Sequence, residues 1–88
     1  MWTVDYTETA RRNLKKLDRL VEERIRAYMK EVAKLPAPRM RGKALEGPLS
    51  EFWKYRIGDY RAICRIEDNA LVVLVVKIGH RREVYKRQ

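Results

Sequence analysis

Phe52-Trp53-Lys54-Tyr55-Arg56-Ile57-Gly58-Asp59-Tyr60-Arg61-Ala62-Ile63-Cys64-Arg65-Ile66 is the stretch on which the reading of this chain turns. Residue type alternates on both sides of Gly58-Asp59, and a Gly-Asp pair between two alternating runs marks a two-residue hairpin turn. Such a turn fixes register, setting Ile57 opposite Tyr60, Arg56 opposite Arg61, Tyr55 opposite Ala62 and Lys54 opposite Ile63. Successive strand side chains point to opposite faces, so one face gathers Trp53, Tyr55, Ile57, Tyr60, Ala62, Cys64 and Ile66. That set is apolar and asks for helices to cover it. The other face gathers Phe52, Lys54, Arg56, Arg61, Ile63 and Arg65. Arginines directly opposite one another repel, and nothing in the segment is expected to bring a carboxylate to that face. The ordinary alternative is a solvated face, because long cations extend readily into water. These charges, however, sit mid-strand rather than at loop tips, which favours an anionic partner.

Downstream, Asp68-Asn69 reads as a second two-residue turn leading into a strand over Leu71 to Ile78, with Val76 opposite Arg61 and Leu74 opposite Ile63. Leu71 to Val76 is apolar on both faces, as in an interior strand covered from both sides. Gly79 permits an abrupt turn off the strand end. The antiparallel return brings that end beside Gly58-Asp59, so Arg81 and Tyr85 can reach the place where Arg56 and Arg61 meet.

Upstream, Trp2 to Tyr6 alternates and reads as a first strand at a sheet edge. Thr7 suits an N-cap for a helix to about Lys16 with an apolar stripe of Ala10, Leu14 and Leu17. Asp18 caps a second helix whose stripe is Val21, Ile25, Tyr28, Met29, Val32 and Leu35, with Tyr28 and Met29 read as core. Pro36 and Pro38 end that helix. A connection from Ala37 to Ser50 follows, which reads equally as a contact loop whose Arg39, Arg41 and Lys43 extend the basic surface or as a plain solvated loop. The expected fold is a single α+β domain over residues 1–88, ordered β-α-α-β-β-β, with a helical hairpin packed on one face of a mostly antiparallel four-stranded sheet.

Composition narrows the function. Against 12 acidic residues stand 21 lysines and arginines, a net charge of +9, so the partner class is a polyanion, nucleic acid foremost. The apolar run Leu71 to Val76 is strand-sized, and Met1 to Asp5 has no secretion pattern, which predicts a cytoplasmic protein with no membrane partner. A single cysteine, Cys64, and a single histidine, His80, exclude an internal disulfide and argue against zinc, so no metal or cofactor is expected. No nucleophile elbow, glycine-rich phosphate loop or carboxylate pair accompanies the patch. What the sequence offers is Lys54, Arg56, Arg61 and Arg81 with Tyr85 beside them, a set suited to a phosphodiester. RNA carries its own nucleophile, the 2′-hydroxyl, so cleavage needs only a base, an acid and charge stabilisation. A lysine crowded by arginines has its ammonium form disfavoured and is a candidate base, while arginine stabilises the dianionic transition state.

The element order, together with Leu45-Glu46-Gly47-Pro48-Leu49, Trp53 to Arg61 and Ile78-Gly79-His80-Arg81-Arg82-Glu83-Val84-Tyr85, resembles the RelE/ParE toxin superfamily over nearly the whole chain, and its RelE branch most. The resemblance implies a RelE-like, microbial-ribonuclease-like fold and a type II toxin that cleaves messenger RNA in the ribosomal A site, leaving a 2′,3′-cyclic phosphate. It implies Lys54 and Arg56 at the attacking side, Arg61 on the scissile phosphate, Arg81 as acid or leaving-group stabiliser, and Tyr85 against the nucleotide. Arg39, Arg41, Lys43, Arg65, His80 and Arg82 are the further RNA-binding candidates. The implied partners are a RelB-like antitoxin, the ribosome with its messenger RNA, and operator DNA only as a toxin–antitoxin complex. The sequence departs from the family pattern at Arg56, where a lysine is common, which shifts the base role toward Lys54, and at Glu46, where a loop cation is expected. A ParE-like inhibitor of DNA gyrase and a non-catalytic RNA-binding module are the competing readings, since scaffold does not fix function.

Overall fold

Thr7 ends one element and begins the next. Its extended backbone closes strand β1 (Thr3–Tyr6), and its hydroxyl accepts from Ala10 N at 3.1 Å to cap helix α1 (Glu8–Lys15). Asp18 then caps α2 (Arg19–Lys34) through Leu20 N at 3.2 Å, and the helix stops before Pro36. In this computed structural model residues 1–80 are described, so Arg81, Arg82 and Tyr85 lie outside the described residues.

The remaining strands are β2 (Lys43–Ala44), β3 (Trp53–Ile57), β4 (Tyr60–Glu67) and β5 (Val72–His80). They form one sheet in the order β1-β5-β4-β3-β2, in which β1 runs parallel to β5 and every other pair is antiparallel. The helices cover one face. Ala10 and Leu14 of α1 and Ile25, Met29 and Val32 of α2 meet Tyr55, Ile57, Ala62, Cys64, Val73, Val75 and Ile78 in one core. Tyr55 is fully buried and its hydroxyl donates to Pro38 O at 2.7 Å, which ties the segment after α2 to the sheet. Thr7 donates to Val76 O at 3.1 Å and Asn13 accepts from Ile78 N at 2.9 Å, so α1 is pinned along β5.

The β3–β4 register is the one expected from Gly58-Asp59. Three features differ from the sequence reading. The sheet has five strands rather than four, because Lys43 and Ala44 inside the long connection pair with Lys54 and Trp53. The β4–β5 loop is longer than two residues: Asp68–Ala70 forms a 3-10 turn and Leu71 takes a left-handed φ of 56°. In addition the register slips between Ile63 and Cys64, which pair with Lys77 and Val75 and leave Val76 as an extra bulged residue. Arg61 therefore faces Gly79, not Val76, and Ile63 faces Lys77, not Leu74. Gly79 is consequently a strand residue, not the point where the strand ends.

The physical reason is the ammonium of Lys77. With a two-residue turn and no bulge, Lys77 would fall opposite Tyr60 on the helix-covered face, and burying an unpaired charge is costly. The observed register puts Ile78 into the core at 3% exposure and turns Lys77 to the outer face. That outer face is not covered as fully as the apolar run suggests, since Val72, Leu74 and Val76 are only half-buried.

Candidate functional site

The outer face of the β3–β4 hairpin carries the cations. In a two-residue hairpin the pair behind the closing one is not hydrogen-bonded, which brings the Arg56 and Arg61 Cα atoms to about 4.5 Å and their side chains close together. The two divide the space unequally. Arg56 is exposed, whereas Arg61 is 6% exposed and its Nη1 donates to Tyr60 O at 3.0 Å and Gly58 O at 3.3 Å. Folding onto the turn carbonyls disperses part of the repulsion and holds that guanidinium in one orientation.

Lys54 lies two residues before Arg56 on the same face, and β2 sets Lys43 directly opposite Lys54. This close approach depends on Gly42, whose φ is 80° and where a Cβ would stand 2.5 Å from Lys54 O. Lys43, Lys54 and Arg56 line a cleft of about 220 Å³ with Gly42 and Tyr28. Lys43 and Lys54 also border a second cleft, of about 400 Å³, with Ala44, Leu45, Glu46 and Leu49. The bulge adds Lys77 to this face opposite Ile63, diagonal to Arg61. Lys54, Arg56 and Arg61 are thus on one side of the sheet with Lys43 and Lys77 around them.

Other candidates are placed differently. Arg39 forms a two-pronged bond to Asp68, at 2.9 and 3.1 Å, and stands 5.9 Å from the Trp53 ring centroid. Its hydrogen bond holds the Asp68 carboxyl below the usual carboxylate range and pushes the guanidinium up. Arg65 lies 3.3 Å from Glu67 and 5.9 Å from the Phe52 ring centroid. The expectation that no carboxylate reaches this face is therefore overturned, because Glu67 is two residues from Arg65 along β4 and shares its side. Arg41 stands 5.7 Å from the Tyr28 ring centroid and its carbonyl accepts from Trp53 Nε1 at 2.7 Å. His80 pairs with Tyr60, meets its ring edge-on at 5.8 Å, and lines a cleft of about 410 Å³ with Asn13, Lys16 and Leu17. By alternation from the buried Ile78, this is the helix-covered side, away from Lys54 and Arg61.

Two residues of the site were not singled out from sequence. Tyr28 is half-buried: its ring meets Tyr55 edge-on at 6.0 Å, as a core residue should, yet it also forms a wall of the cationic cleft. Lys77 follows an apolar run, and only the bulge reveals its side. Among the described residues no group of three potential metal ligands occurs.

The family described as ParE toxin of type II toxin-antitoxin system, parDE, matches residues 4–85. Toxin RelG of Mycobacterium tuberculosis is 37% identical over 89 residues, covering 98% of each chain. The chain belongs to the RelE/ParE toxin family. Among solved structures, a chain of the RelBE2 toxin–antitoxin complex of Mycobacterium tuberculosis superposes with a TM-score of 0.82 at 31% identity, covering 91% of both chains. The isolated E. coli RelE toxin superposes with a TM-score of 0.74 at 27% identity, covering 97% of this chain and 92% of RelE. The protein is accordingly the toxin of a type II toxin–antitoxin pair, built as two helices on a mixed five-stranded sheet. None of the helices among the described residues is long and apolar enough to cross a membrane.

Proposed function

We propose that this toxin is a ribosome-dependent endoribonuclease that cuts messenger RNA in the A site by attack of the 2′-oxygen on the adjacent phosphate. The observation that carries this reading is the placement of Lys43, Lys54, Arg56 and Arg61 on one side of the β2–β3–β4 sheet edge. In this reading Lys54 assists removal of the 2′-hydroxyl proton and Arg56 holds the attacking side. Arg61, fixed on the turn carbonyls, presents an oriented donor to the scissile phosphate, so little reorganisation is needed as charge develops. Arg81, as acid or leaving-group stabiliser, and Tyr85, against the nucleotide, complete the assignment. A RelB-like antitoxin would restrain the toxin by laying an acidic and apolar segment over the same cations.

The test maps messenger RNA ends on translating ribosomes with wild-type protein, Arg61→Ala and Arg81→Ala. A-site cuts by the wild type, lost in both variants with the fold intact, support the proposal. Full toxicity in both variants refutes the assignment. The family that matches bears the ParE name, so gyrase supercoiling is assayed alongside: inhibition without RNA cuts would replace the nuclease reading with gyrase poisoning.

A further inference from the structure

The cationic cleft does not end at Arg56. A further crevice, of about 350 Å³, runs between α2 and β3 and shares Tyr28 and Arg56 as common walls with the cleft of Lys43, Lys54 and Arg56. Arg24 reaches into it from α2. Its Nη1 lies 3.1 Å from where a Cβ on Gly58 would stand, so the guanidinium rests on the β3–β4 turn. Arg41 approaches from the connection and stands 5.7 Å from the Tyr28 ring centroid. The carboxylate on the crevice wall, Glu31, is 3.6 Å from Lys34, while among the described residues no carboxylate pairs with Arg24 or Arg41. The result is an aromatic ring at the junction of two clefts, with the Arg41 guanidinium over the ring and Arg24 on the crevice side.

We propose that this junction is a nucleotide subsite beside the scissile position, where a base of single-stranded RNA takes the place of the Arg41 guanidinium over the Tyr28 ring, and Arg24 and the released Arg41 hold the flanking phosphates. Acidic and apolar protein segments also meet guanidinium groups and pack on rings, but a ring flanked by two guanidinium groups matches the alternation of flat base and phosphate along a nucleic-acid strand. The subsite gives the RNA strand a path from the outer face of the hairpin around the sheet edge onto α2. It rests on the reading that the substrate is RNA, but it does not depend on cleavage.

Binding is measured by fluorescence anisotropy with single-stranded RNA carrying 2′-O-methyl groups, which blocks the internal nucleophile. One probe spans both clefts and the other is a dinucleotide. The expected result is that Tyr28→Leu weakens the longer probe roughly 5- to 150-fold, the range for loss of one stacked base, and that the double variant Arg24→Gln/Arg41→Gln weakens it as well. On the dinucleotide, which meets Tyr28 only as a cleft wall, the loss is several-fold smaller for both variants, and Tyr28→Phe binds like the wild type. Wild-type affinity of Tyr28→Leu for the longer probe overturns the subsite, as does an equal loss on both probes. Weaker binding of a poly-glutamate peptide with RNA unaffected overturns it too, in favour of a protein interface. Thermal melting of each variant excludes misfolding. Absence of A-site cuts with the Tyr28 dependence intact would sink the nuclease reading and leave the subsite standing. Cuts that persist without that dependence would do the reverse.

Discussion

Replacing Gly42 by alanine tests whether the loop truly closes on β3. Gly42 has φ 80°, and an added Cβ would meet Lys54 O at 2.5 Å, Trp53 Nε1 at 2.6 Å and Tyr55 Cδ1 at 2.9 Å. None of the three can yield easily. One is backbone in a paired strand, Trp53 is held by its bond to Arg41 O, and Tyr55 is fully buried with its hydroxyl on Pro38 O. The left-handed backbone costs alanine about 1–2 kcal/mol and overpacking adds about 1–3 kcal/mol, so Gly42→Ala should lose roughly 2–5 kcal/mol. For a domain of this size that is a fall in Tm of roughly 8–40 °C. Gly47 supplies the control, with φ 66° and nothing within 4 Å of an added Cβ, so Gly47→Ala should lose only the backbone share, about 1–2 kcal/mol. Urea unfolding followed by circular dichroism measures both. Growth arrest should fall in Gly42→Ala even below its melting temperature, because lifting the loop moves Lys43 away from Lys54. Equal stability losses in the two variants would refute the packing argument, and an undiminished growth arrest in folded Gly42→Ala would refute the role given to Lys43.

Two further outcomes follow from the core beneath the site. Tyr55→Phe removes the donor to Pro38 O and strands a carbonyl at a buried ring, so urea unfolding should show a loss of about 1–3 kcal/mol with the sheet otherwise intact; no change would mean that the Pro38 carbonyl finds water. Cys64 is fully buried and its thiol is pushed up by burial, so the thiolate is scarce at neutral pH. Iodoacetamide should leave it unlabelled in the native protein and alkylate it once urea unfolds the chain, read by mass spectrometry; rapid native labelling would show that the core opens locally.

The parts of the fold that were legible are those set by short-range chemistry. Gly58-Asp59 fixes a tight turn, and the turn fixes the pairing of Arg56 with Arg61 and of Lys54 with Ile63. Thr7 and Asp18 announce both helix starts. Most of what could not be read depends on contacts distant in sequence. Two residues of β2 are too few for alternation to show, and they pair only because Gly42 allows the loop to lie on β3. Asp68-Asn69 has the composition of a tight turn, yet the chain widens the loop and places the left-handed residue at Leu71. Tyr28 obeys the helical stripe, so periodicity assigns it to the core, and only the position of α2 beside the edge of β3 shows that its ring also faces a cleft. Arg39 looks like a free cation in sequence because Asp68, which meets it, lies 29 residues away, whereas Glu67 shares the face of Arg65 by plain alternation two residues on and was legible.

These departures have a common direction. The bulge at Val76 exchanges Lys77 for Ile78 in the core, which removes a charge from the helix-covered face and adds it to the outer one. Arg39 and Arg65 are drawn off by carboxylates toward the loop end of that hairpin, while Lys43 is carried in beside Lys54 at the opposite end. The basic surface is therefore not spread evenly over the sheet as the linear sequence suggests. Cations near Asp68 are neutralised, and those near Gly58 are concentrated around an arginine that is itself fixed by backbone carbonyls. A uniform basic coat would attract any polyanion without choosing where it lies; on the proposed RNA reading, a gradient of this kind would give the strand a direction, from Lys43 and Lys54 past Arg56 to the turn on which Arg24 rests.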